Sequence, residues 1–181
     1  MRRQLRAFTL IEILAVVVIL GIAAAVIVPQ IGRRDDLTAS SASRIIMADL
    51  LYAQNRAIAT QQMRYVQFDV TNGTYSLLTQ ITPTVAYSTH PITKQNYVEQ
   101  FFKSGGSAKP TRGLETVTLV SANLDGKAVL AFDELGTPYS YDTSSSTATA
   151  LSSGKVQIQA GSYTMTVGIE PYTGELSVTT P

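Results

Sequence analysis

From Ile13 to Val28 every residue is apolar or glycine, and no other feature limits the fold of this chain so tightly. Taken from Phe8 to Val28, the segment as a helix at about 1.5 Å per residue reaches roughly 31 Å, against a hydrocarbon thickness of about 30 Å. It is long enough to span a bilayer. Arg2, Arg3 and Arg6 precede it, Pro29 closes it, and Arg33-Arg34-Asp35-Asp36 follows. Three early cations hold the start of such a helix in the cytoplasm, so the remainder is expected on the far side. A cleaved secretory signal ending near Ala23-Ala24-Ala25 is a competing reading, but the apolar run continues beyond it through Val26-Ile27-Val28. A plain signal anchor is another, and it leaves Glu12 without a reason. A carboxylate inside a spanning helix costs about 2.5–3.5 kcal/mol, so an acid in that position calls for a cationic partner.

The string Arg6-Ala7-Phe8-Thr9-Leu10-Ile11-Glu12 before an apolar helix resembles the leader and anchor of type IV pilins and type II secretion pseudopilins. The resemblance implies that a prepilin peptidase cuts between Ala7 and Phe8 and that the new amine of Phe8 is N-methylated. It implies that Glu12 pairs with the N-terminal amine of a neighbouring subunit and sets assembly register. It also places Pro29 where such subunits carry a helix-loosening proline. The family usually has glycine before the cut, and Ala7 departs from that pattern.

The rest of the chain excludes several chemistries. There is no cysteine, so disulfides, thiolate metal sites and a cysteine nucleophile are ruled out. His90 is the single histidine, too few for a zinc site without other ligands nearby and too isolated for a Ser-His-Asp argument. No phosphate-binding glycine loop is present. From Met63 onward seven Lys or Arg stand against nine Asp or Glu, and a slightly acidic body does not draw polyphosphate over long range. No nucleic-acid partner, cofactor or metal is expected. Asp125-Gly126, Asp133-Glu134 and Asp142 read as turn residues rather than a calcium loop. Lys103, Lys109 and Arg112, with Gly105 and Gly106, read as a solvated basic loop.

Leu37 to Gln61 contains no Pro or Gly, and Met47, Leu50, Leu51, Gln54, Ala57 and Ile58 recur at helical spacing. Arg44, Asp49 and Arg56 fall off that stripe, and Thr38, Ser40 or Ser41 is expected to cap the helix. From Met63 the period becomes two: Val66, Phe68 and Val70 alternate with Tyr65, Gln67 and Asp69. Asn72-Gly73 signals a hairpin. Further strands are expected at Glu115–Ser121, Ala128–Asp133, Lys155–Ala160, Tyr163–Ile169 and Glu175–Thr179. Gly161-Ser162 and Pro171-Tyr172-Thr173-Gly174 are expected as turns. Gln80–Gly113 reads as an insertion or long loop, and the Ser/Thr/Ala-rich Thr143–Gly154 as a mobile surface loop. A long helix followed by antiparallel strands argues α+β.

The body strings Ala48-Asp49-Leu50-Leu51-Tyr52-Ala53-Gln54-Asn55-Arg56-Ala57-Ile58 and Val129 to Pro138, with the tail Met165 to Val178, resemble general secretion pathway protein H (GspH) and FimT-like minor pilins. The resemblance implies the pilin fold, a long N-terminal helix packed on antiparallel sheet. The expected organisation is a leader at 1–7, a transmembrane helix half at 8–29, an amphipathic periplasmic half at 30–62, and a β-rich body at 63–181. The expected role is that of a non-enzymatic minor pseudopilin of a type II secretion system. Its expected partners are the prepilin peptidase, other pseudopilins, the inner membrane and exported cargo. A minor subunit of a type IV or DNA-uptake pilus, and a membrane-tethered binding module that does not polymerise, are the alternatives.

Overall fold

The computed structural model describes residues 8–31, 34–105 and 109–180, with side chains throughout these except at 26–31 and 34. The chain divides into two compact units, Met1–Arg34 and Asp35–Pro181. The first is α1, Leu10–Ile31. Its large apolar side chains from Leu10 to Ile22 are exposed on all sides, as in a helix with no single apolar face. Among the described residues no helix is long and apolar enough to cross a membrane. The expected span over Phe8–Val28 continues past Ala25 into side chains outside the description, and the stretch before them is shorter than the roughly 20 residues a span requires.

The second unit opens with α2, Arg34–Thr60. Asp35 and Asp36 occupy its first turn, where negative charge is favoured by the helix dipole. Ala39, Ala42, Ile46, Leu50, Ala53 and Ala57 form its buried face. Four of the six are alanines, so the strands approach the helix closely. The strands are β1 Arg64–Asp69, β2 Thr74–Gln80, β3 Ala86–Tyr87, β4 Val98–Gln100, β5 Val117–Leu124, β6 Val129–Phe132, β7 Pro138–Asp142, β8 Thr147–Ala150, β9 Gly154–Ala160, β10 Tyr163–Ile169 and β11 Leu176–Thr179. One sheet runs β3-β2-β1-β6-β7-β8 with β4 also on β2, and the other runs β11-β10-β9-β5. Every pairing is antiparallel. The fold is α+β, as expected.

Both sheets share one core with the helix: Val66, Phe68, Leu77, Phe132, Ile158 and Val167 all pack in the cluster that holds the α2 face. Each such side chain contributes about 1.5–3 kcal/mol of burial. A smaller cluster around Val129, Ala131 and Tyr141 lies apart from it, flanked by Met63, Tyr65, Ile81 and Tyr139.

Several expectations need correction. The helix begins before Thr38, Ser40 and Ser41, so none of them caps it. The Ser41 hydroxyl instead donates back to the Leu37 carbonyl, and Ser43 to that of Ser40. Leu51 and Ile58 are each 42% exposed while Asp49 is 9% exposed, so the stripe is rotated toward the alanines. Val70 leaves β1 and is exposed. Gln80–Gly113 is no plain loop: it carries β3 and β4 and sends Tyr97 and Phe101 into the core. Thr143–Gly154 holds β8, paired with β7 from Asp142↔Thr147 to Tyr139↔Ala150, and ends on buried Leu151.

Candidate functional site

Residues 1–7, and with them Ala7, lie outside the described residues. Phe8 is 77% exposed. Thr9 precedes α1, and its hydroxyl accepts from the Glu12 N–H at 3.3 Å while the Thr9 N–H donates to Glu12 Oε2 at 3.5 Å. This reciprocal arrangement is a capping box, with Thr9 as the cap and Glu12 three residues on. The spacing Thr-x-x-Glu is the sequence signal for it. Glu12 therefore has a local duty, closing backbone donors at the start of its own helix, in a position the helix dipole favours. Its charge is still not matched by a cation among the described residues. Pro29 lies within α1, whose helical backbone runs on to Ile31.

The body contains a polar cluster that the sequence reading missed. Asp49 on α2 accepts hydrogen bonds from the Tyr75 and Tyr97 hydroxyls, the latter at 2.7 Å. Tyr75 comes from β2 and sits between Phe68 and Phe101, ring centres 5.7 and 5.6 Å away. Tyr97 stacks on Tyr52 at 5.6 Å and on the His90 ring at 4.4 Å. His90 Nε2 lies 3.7 Å from Glu99 Oε1, and Glu99 Oε2 is buried with no hydrogen-bond partner. Burial pushes the Asp49 carboxyl above its ordinary value, against the two tyrosine hydroxyls and His90. Burial also raises Glu99; the Thr111 hydroxyl opposes this, Asp49 adds to it and His90 lowers it. Tyr75 and Tyr97 are raised, first by burial and then by Asp49. The cluster ties the helix to β2 and to the segment carrying β4. It offers no activated nucleophile, since burial holds both phenols protonated.

The other sequence candidates serve turns. His90 Nδ1 accepts from the N–H groups of Ile92 and Thr93 at 3.1 and 3.2 Å. Asp125 accepts from Ser152 and Ser153, Asp133 from Leu135 and Thr137, and Asp142 from Ser144 while pairing with Lys127. Among the described residues no three His, Asp or Glu converge as metal ligands. Lys103 donates to the Thr71 carbonyl, and Lys109 and Arg112 form no ion pair among the described residues.

The chain carries a capped helix, apolar from Ile13 to Val28, behind a basic stretch, and a body of one helix packed on antiparallel sheets. Residues 2–28 match the prokaryotic N-terminal methylation motif. The fold is similar to that of the minor pseudopilin EpsH from the type 2 secretion system of Vibrio cholerae, with a TM-score of 0.51 at 15% sequence identity. That likeness covers 79% of this chain and 97% of the other. No curated protein matches the chain in sequence.

Proposed function

We propose that this chain is a minor pseudopilin, a structural subunit of a type II secretion-like assembly rather than an enzyme. The observation that carries the proposal is the methylation motif over residues 2–28 at the head of a pseudopilin-type fold. In this reading the leader ends at Ala7, Phe8 becomes the methylated N-terminus, and the apolar helix anchors the chain in the inner membrane with its body in the periplasm. Other pseudopilins pack against Ile13–Val28 in the filament. An ATPase elsewhere supplies the energy, and the body meets neighbours or exported cargo. Glu12 sets the register of one helix against the next, and Pro29 loosens the helix near its end.

The test is the mass of the mature protein isolated from membranes. The expected product begins at Phe8 and carries one methyl group on its amine. An intact Met1, or a start after Ala25, overturns the reading.

A further inference from the structure

A cavity of about 150 Å³ lies between the C-terminal half of α2, β1, β2 and β3 with the segment after it. Arg56 and Arg64 both line it, with Tyr52, Ser88 and Thr89. Arg64 is the first residue of β1 and shares a face with Val66 and Phe68, so strand alternation points a guanidinium inward. It is 8% exposed. One of its nitrogens donates to the Thr60 hydroxyl at 2.8 Å and, at 3.4 Å, to the Gln62 side-chain oxygen Oε1. Its Nε is buried with no partner. Among the described residues neither Arg64 nor Arg56 is paired with a carboxylate. Burial and the positive charge of Arg56 both lower the Arg64 pKa, with Tyr52 acting the other way.

A buried guanidinium with no carboxylate beside it is among the costlier features a fold can keep, and Arg56, exposed at the same cavity, adds a second positive charge. Guanidinium groups are suited to oxyanions, which accept several of their fixed donors at once. The Ser88 and Thr89 hydroxyls have no hydrogen-bond partner among the described residues and add donors at the rim. The cavity is too small for a macromolecular segment of any length, and two cations call for two negative charges. We propose that this cavity binds a small doubly charged oxyanion, phosphate or sulfate, between Arg56 and Arg64. The site is independent of the filament role.

The experiment titrates inorganic phosphate, and separately sulfate and acetate, into the detergent-solubilised full chain at constant ionic strength. Calorimetry reads the binding, and ³¹P line broadening checks the phosphate arm. Saturable binding of phosphate or sulfate is expected with a Kd of about 1 mM or tighter, and singly charged acetate about tenfold weaker or more. Arg56 is exposed, so Arg56→Gln keeps the fold, judged by near-UV circular dichroism, and is expected to weaken binding about tenfold. Arg64→Gln is expected to abolish binding; if it does not fold, Arg56→Gln alone decides. No saturation by either dianion up to about 10 mM, acetate binding as tightly as sulfate, or unchanged affinity in Arg56→Gln overturns the proposal.

Discussion

Asp49 sits on the buried face of α2 because it falls three residues after Ile46 and four before Ala53, both in the core. Large side chains alone mark a stripe that excludes Asp49, because the alanines at 39, 42 and 53, which complete the buried face, carry little apolar signal of their own. The buried carboxylate is tolerated because two phenols donate to it. Tyr75→Phe removes one donor and keeps the ring against Phe68 and Phe101. It is expected to lower stability by about 1–3 kcal/mol, the cost of leaving a buried acceptor short. A urea unfolding midpoint equal to wild type at unchanged slope counts against that account. Glu99 brings a pH dependence. A carboxyl raised by burial favours the folded state while protonated; its contribution is full below the ordinary carboxylate range and is lost as pH rises through the raised value. Asp49 acts in the same direction. Glu99→Gln removes this titration, so it is expected to gain stability relative to wild type as pH rises above the ordinary carboxylate range. Thermal midpoints of the two proteins across that range, if parallel, exclude Glu99 as the source.

At the scale of elements, what repeats locally was legible. Tyr163–Ile169 matches β10 residue for residue, and the Gly161-Ser162 turn joins Ala160 to Tyr163. Alternation and turn chemistry suffice there, because each strand pairs with its neighbour in sequence. β8 was hidden for a physical reason: Thr147–Ala150 is exposed at all four positions at the edge of its sheet, so no apolar face marks it. β4 and Tyr97 were hidden because their partners, β2 and α2, are distant in sequence. At the N-terminus the motif residues were legible one by one, yet the capping box was not drawn from them. Turn geometry at the β6–β7 connection can be tested directly. Gly136 has φ +83°, and a Cβ there would lie 2.9 Å from Ile58 Cδ1. Its carbonyl accepts from Gln54 Nε2 at 2.9 Å, and the same nitrogen reaches the Thr173 carbonyl at 3.1 Å, so one helix side chain fastens two turns. Gly136→Ala is expected to cost more than about 1 kcal/mol. Adding Ile58→Ala relieves the contact but not the backbone strain, so only part of the loss returns. Full recovery in the double variant, read by chemical denaturation, assigns the cost to the contact alone.

The chain joins an apolar helix whose large side chains from Leu10 to Ile22 are exposed to a body with a complete core. In the proposed reading such a helix gains its stabilisation from lipid or neighbouring copies. Glu12 stands at its head with two separable properties. Its side chain closes the capping box with Thr9, which glutamine does about as well. Its charge has no cation beside it among the described residues, and only the charge can pair with the amine that the proposed cleavage before Phe8 would create. A buried ion pair adds little net stability but can set register. The two properties come apart in two variants. Glu12→Gln keeps the cap and removes the charge; Glu12→Val removes both. If the charge sets register, both variants are expected to insert at least as well as wild type, since each loses the cost of burying a carboxylate. Both are expected to be cleaved before Phe8, because the leader is unchanged, and both to lose crosslinking into filaments. If capping alone matters, Glu12→Gln assembles as wild type and only Glu12→Val fails. Membrane fractionation, N-terminal mass and crosslinking on the same pair of variants distinguish the two, and wild-type assembly by Glu12→Gln removes the register role from its carboxylate.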